Sequence, residues 1–180
     1  MITLKKVKQE KGRVENMIQV KKILFPTDFS RRANRALVHS LNLAKKYKAE
    51  LHMLHALVLW DDDPHNPAYH FPDKEELQKR LKEAAADRMS ADLEKADIED
   101  LVVKQVYERG MTPAETITRY AGENDIDLIV IGTHRRRKIR YLIGSVVKEV
   151  VRMAPCSVLT ISQDDEETPA YALYSSQEIL

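Results

Sequence analysis

Two kinds of apolar spacing alternate along the chain, and the alternation predicts the fold. Lys21-Lys-Ile-Leu-Phe-Pro26 is a short continuous run halted by proline, the mark of a buried strand. Asp28-Phe-Ser30 then offers capping oxygens, and Ala33, Leu37, Leu41 and Ala44 follow at helical steps. Leu51–Val58 is apolar on both alternations, as expected of a strand covered on both faces. Beyond the turn-rich Asp61–Pro67, the positions Leu77, Leu81, Ala85, Met89, Leu93 and Ala96 draw a long helical stripe. Leu101-Val-Val103 with Val106 reads as a third strand. Thr112-Pro-Ala-Glu115 is a capping box with proline at the first helical position, opening a helix through Ile117 and Tyr120. Ile126–Ile131 gives a fourth strand that stops at Gly132. Ser145–Met153 gives a fourth helix and Ser157-Val-Leu-Thr-Ile161 a fifth strand.

Strands alternating with helices require a parallel sheet, because each parallel connection is a long crossover. The predicted class is α/β: a single doubly wound five-stranded parallel sheet with helices on both faces. Ligands in such sheets sit beyond the carboxyl ends of the strands, where the strand order reverses. If the first and fourth strands are neighbours, Pro26-Thr-Asp28 and Gly132 face one crevice.

Composition narrows the class without naming a job. The 180 residues are 43 % apolar and 32 % charged, which suits one soluble globular domain. A net charge of +1 gives no global attraction to nucleic acid or membrane. No window approaches the roughly eighteen apolar residues of a spanning helix, and the lysine-rich start lacks an apolar signal centre. The expected location is the cytoplasm. Residues 1–20 read as an extension, helical around Val14–Ile18, 21–162 as the domain and 163–180 as an acidic tail. One cysteine, Cys156, excludes an internal disulfide and any cysteine-based zinc site, and reads as a small buried hydrophobe.

Candidate chemistry concentrates between Gly132 and Ser145. A strand, a glycine, the basic loop Thr133-His-Arg-Arg-Arg-Lys138 and a helix opening at Gly144-Ser145 form an apparatus for holding an anion. Ser145 is expected as that helix's N-cap. The Arg135–Arg140 run lacks interleaved aromatics for stacking bases, so a solvated loop or a phosphate clamp is preferred to nucleic-acid binding. His52 and His55 lie three apart on a strand, point to opposite faces and cannot grip one ion. His65 and His70 beside Asp61–Asp63 form the other conceivable metal set, without a rigid frame. No paired carboxylates and no Ser-His-Asp order point to a catalytic base, which disfavours turnover.

Several blocks together resemble the universal stress protein family: Ile23-Leu-Phe-Pro-Thr-Asp-Phe-Ser30, Leu54-His-Ala56, Asp127-Leu-Ile-Val-Ile-Gly-Thr-His134, and Gly144-Ser-Val146 running into Ala154-Pro-Cys-Ser-Val-Leu159. The resemblance implies a flavodoxin-like domain of strand order 3-2-1-4-5, a homodimer paired through Ser157–Ile161, and an unknown protein partner. It also implies ATP or another adenine nucleotide, with or without magnesium. The implied nucleotide set is Pro26, Thr27, Asp28, Ala56, Ile131, Gly132, His134, Arg135, Gly144, Ser145 and Val146. Within it, Pro26, Thr27 and Ala56 line the adenine, and Asp28 lies near the ribose or a phosphate-bound magnesium. Asp28 is equally placed to cap the first helix, and His134 to face solvent.

The family's ATP-binding branch carries glycine, two residues, glycine, nine residues, glycine and then serine or threonine. Gly132 and Gly144-Ser145 match the ends, but Arg135 stands at the second glycine and only eight residues separate it from Gly144. If that position needs positive φ, arginine costs about 1–2 kcal/mol there. Arginine also supplies a phosphate fork in place of backbone donors. Three functions remain open: a nucleotide-binding stress protein, an interaction module whose site its own arginines fill, and a slow ATPase.

Overall fold

The computed structural model describes residues 19–58, 74–134 and 144–163, apart from the side chains of Lys74, His134 and Gln163. Strand β1 (Lys22–Pro26) leads into helix α1 (Arg31–Tyr47), β2 (Glu50–Val58), α2 (Lys74–Glu94), β3 (Val103–Gly110), α3 (Pro113–Glu123), β4 (Leu128–His134), α4 (Ser145–Met153) and β5 (Ser157–Gln163). All strand pairs are parallel and the order is β3-β2-β1-β4-β5. The predicted α/β class and strand order are both present.

Burial follows the sequence pattern. In α1 the positions Ala33, Leu37, Leu41 and Ala44 are buried, and Ser30 caps the helix by accepting the Ala33 amide at 3.3 Å. Lys48 ends α1 in the left-handed region, its amide reaching back to Ala44 and Lys45. Thr112 caps α3 by accepting the Glu115 amide at 3.2 Å, with Pro113 at the first helical position. Ile23, Phe25, Leu51, Met53 and Val130 pack on one face of the sheet with α1 and with Met89 and Leu93 of α2. Leu24, Leu54, Ile129 and Ile131 pack on the other face with α3 and α4. Each central strand therefore sends alternate residues into two separate cores, which is why these strands read as unbroken apolar runs.

The boundaries depart from expectation where polarity or glycine misleads. β3 begins at Val103 and continues through Lys104, Glu108 and Arg109, because an edge strand leaves polar residues in solvent. Only Val106 in it is buried, so the apolar signal was sparse. β4 does not stop at Gly132: it starts at Leu128 and runs to His134, since Gly132, Thr133 and His134 stay paired with Ile161, Ser162 and Gln163 of β5. In α2, Ala85, Met89 and Leu93 are buried but Leu81 is exposed, so the stripe meets the sheet only along its second half. The proposed helix near Val14–Ile18, the tail after Gln163 and the set around His65 and His70 lie outside the described residues.

Candidate functional site

Order reverses between β1 and β4, and there the tips of the two strands open onto a cavity of about 340 Å³. The turn after β1 forms one lip with Pro26, Thr27 and Asp28. Ala56, Leu54, Ile131, Gly132 and Thr133 supply the strand ends. Pro113 and Ile117 of α3 close one side, and Gly144 through Val147 at the start of α4 close another.

A chain of local hydrogen bonds sets the lip. Thr27 Oγ1 accepts the Phe29 amide at 3.0 Å, and Asp28 Oδ1 accepts the Ser30 amide at 3.0 Å. Phe29 is thereby held at a φ of 59°, a left-handed conformation that costs a side-chain-bearing residue about 1–2 kcal/mol. The Thr27 amide donates to Leu54 O at 2.8 Å, fastening the turn to β2. His55 Nδ1 lies 2.9 Å from Thr27 O. A carbonyl only accepts, so Nδ1 carries the proton. The Phe29 ring rests on the His55 ring with centroids 4.6 Å apart, and the Arg88 guanidinium lies 5.2 Å from the Phe29 centroid. Strand β2 and helix α2 thus hold the lip from behind.

The far wall presents hydrogen-bond donors. Gly144, not Ser145, is the N-cap of α4, and no side chain among the described residues caps it. Ser145 is the first helical residue, from which a hydroxyl lies past the amides it would have to accept; it is exposed at the cavity instead. The first intrahelical bond runs from Lys148 N–H to Gly144 O, so the amides of Ser145, Val146 and Val147 have no acceptor within the helix. Thr133 Oγ1, in the same wall, is buried without a hydrogen-bond partner among the described residues.

Gly132 is glycine for a reason other than flexibility. A Cβ there would meet Arg32 O at 2.5 Å and Arg32 C at 2.9 Å, both backbone atoms of α1. No described glycine has a positive φ. Gly132 therefore lets the start of α1 press onto β4, which draws the two strand tips into one crevice.

Residues 19–162 match the model of the universal stress protein family. The chain belongs to that family. Universal stress protein MJ0577 of Methanocaldococcus jannaschii is 30% identical over 163 residues, covering 81% of this chain and 97% of that protein. The solved structure of universal stress protein UspA from Lactobacillus plantarum superposes with a TM-score of 0.59 at 29% identity, over 79% of this chain and 98% of that one. Two further structures share the fold at lower identity. A universal stress protein in complex with cAMP has a TM-score of 0.51 at 21% identity, over 81% of this chain and 99% of that one. The Archaeoglobus fulgidus protein in complex with dAMP has a TM-score of 0.51 at 24% identity, over 80% and 98%.

In this universal stress protein the cavity brings together Pro26, Thr27, Asp28, Ala56, Ile131, Gly132, Gly144, Ser145 and Val146 of the residues expected from sequence. His134 is the last residue of β4, its side chain outside the described residues, as is all of Arg135. Asp28 does not cap α1 itself; Ser30 does, and Asp28 braces Ser30. His52 and His55 do face opposite sides, toward Tyr120 and Phe29. Among the described residues no group of three or more His, Cys, Asp or Glu is placed to hold a metal ion. No helix among them is long and apolar enough to cross a membrane. Sequence reasoning missed His55, Thr133 and Ile117. Register carried a signal for the first: β1 ends opposite Leu54, so the next residues of β2 overhang its tip.

Proposed function

We propose that this universal stress protein binds an adenine nucleotide at the crevice between β1 and β4. One observation carries the reading: a cavity at the reversal of strand order combines an apolar floor with a run of helix-start amides. The residues fit the group. Ala56 and Leu54 line the cavity with apolar surface suited to a base, and the start of α4 suits a phosphate. The Thr133 hydroxyl, without a partner among the described residues, offers a further donor in the same wall. That relatives of the same fold were solved with cAMP and with dAMP supports the choice of adenine.

The test is a melting-temperature titration with ATP, AMP and cAMP at up to millimolar concentration. Ligand at one hundred times its dissociation constant stabilises by about 2.7 kcal/mol. Ser145→Glu is the matched variant, because a carboxylate in the first helical turn suits the helix dipole while repelling an anionic ligand. Wild type that gains no stability from any of the three nucleotides ends the proposal. Gly132→Val is unsuitable, since it would disturb α1 whether or not a ligand binds.

The alternative is an interaction module with the crevice filled by Arg135–Arg137, and mass spectrometry of freshly purified, denatured protein separates the two: released nucleotide excludes it. Asp28 is the one carboxylate lining the described cavity, which gives a slow ATPase little acid–base support. The dimer reading places the interface on β5, the edge strand of the sheet, whose Leu159 is exposed; Val151 and Met153 of α4 are exposed as well. An unpaired strand edge with an exposed apolar side chain is a ready pairing surface.

A further inference from the structure

Two residues before Leu54, β2 buries a histidine that the nucleotide reading leaves unused. His52 is 2 % exposed and lies on the face of the sheet covered by α3. Its Nδ1 is 2.8 Å from the Tyr120 hydroxyl of α3, and the two rings meet edge-on at 5.7 Å. On the other side of the ring, Glu50 Oε1 lies 3.1 Å from Nε2 but off the line of a good hydrogen bond. The elements around it bring further charge: Lys104 pairs with His52 across β3, and Lys22 approaches from β1.

The protonation pattern follows from donor and acceptor chemistry. Tyr120 is itself buried, and its hydroxyl makes this one side-chain hydrogen bond among the described residues. Its proton belongs on that bond, because burial, with Glu108 and Glu50 nearby, pushes the phenol up to about 12. Tyr120 O–H therefore donates to a bare Nδ1, and the ring proton sits on Nε2, toward the Glu50 carboxylate. A second ring proton has no place to go. It would put a donor against the Tyr120 O–H, force that hydrogen to turn toward apolar surroundings, and leave a charged ring in a dry site.

We propose that His52 and Tyr120 form an acid-sensitive latch: the neutral imidazole holds α3 against β2, and its protonation releases α3. Because Pro113 and Ile117 of α3 form one side of the cavity, release also loosens that wall. The latch itself does not depend on which ligand the cavity takes. Burial, opposed by Glu50 and reinforced by Lys104 and Lys22, holds the His52 imidazolium below its ordinary range. A lowered pKa in the folded state means that the unfolded chain takes up protons first. Stability is then complete above the unfolded value near 6.5 and falls as pH drops below it.

The experiment compares wild type with His52→Gln and Tyr120→Phe by denaturant unfolding at pH 7 and pH 5, where ordinary carboxylates stay largely ionised. A histidine neutral in the fold but free to titrate when unfolded weakens the folding equilibrium by up to about 25-fold between those two values. Wild type is expected to lose this factor in excess of His52→Gln. Hydrogen exchange, corrected for intrinsic rates, adds a local readout: at pH 5 the amides of α3 lose more protection than those of α1 in wild type, and not in His52→Gln. Nitrogen NMR of the wild-type imidazole gives the tautomer directly, and decides the matter even if a variant fails to fold. Nε2–H with a depressed titration supports the latch. An Nδ1–H tautomer, titration at the ordinary value, or α3 and α1 losing protection together would overturn it.

Discussion

Gly132→Ala tests how the crevice is made. The added Cβ would lie 2.5 Å from Arg32 O, 2.9 Å from Arg32 C and 3.3 Å from Ala33 N. These are backbone atoms at the start of a helix, so no side chain can swing aside; α1 or β4 must shift. Overpacking of this kind costs about 1–3 kcal/mol. Alanine also restricts the unfolded chain, which returns about 0.4–1 kcal/mol. The expected net loss is about 1–2 kcal/mol, or about 2–8 °C in melting temperature for a chain of this size. Gly122→Ala is the control. Gly122 lies within α3, and a Cβ there would touch only Pro155 Cγ at an ordinary 3.8 Å. Helix propensity then predicts a gain of about 0.5–1 kcal/mol. Urea unfolding at constant slope measures both variants, and the two must move in opposite directions. A Gly132→Ala protein at least as stable as wild type would refute the close approach of α1 to β4.

Further expectations are more local. Ser30→Ala removes the acceptor of the Ala33 amide and should cost about 1 kcal/mol, read by chemical denaturation; an unchanged midpoint would mean that the cap is idle. Leu159→Glu should leave a folded monomer in sedimentation velocity if β5 is the dimer contact, whereas an unaltered profile moves the interface elsewhere. Burial, then the nearby Asp127 carboxylate, raises the Cys156 thiol. Its reaction with an aromatic disulfide at pH 7.5 should therefore be several-fold slower than that of a free thiol, and equal rates would contradict the burial.

Most of the fold was legible because its central strands are buried twice over. Ile23-Leu-Phe25 and Ile129-Val-Ile131 send neighbours into both cores, so no polar residue interrupts them. The edge strand β3 was blurred for the converse reason, with one buried residue among eight. Gly132 misled because a glycine after an apolar run resembles a stop, while its role is to admit another backbone. The strand tips and the α4 start were readable from motif spacing. The His52–Tyr120 contact was not, since its partners lie 68 positions apart and come together only when α3 folds over β2. The same holds for His55, which reaches the lip through register.

The central place of β1 has a consequence for synthesis. Its neighbour β4 lies about a hundred positions downstream, as the Lys22 amide bonded to Asp127 across 105 residues makes plain. A nascent chain that has emerged only through β3 can zip β3, β2 and β1 together, yet Ile23, Leu24 and Phe25 then sit on an open margin that the finished molecule hides completely. At ribosomal speed the missing strand follows about 1–5 s later. For that interval an apolar ribbon is a template for any passing strand, and protection by a chaperone at the tunnel exit matters most then.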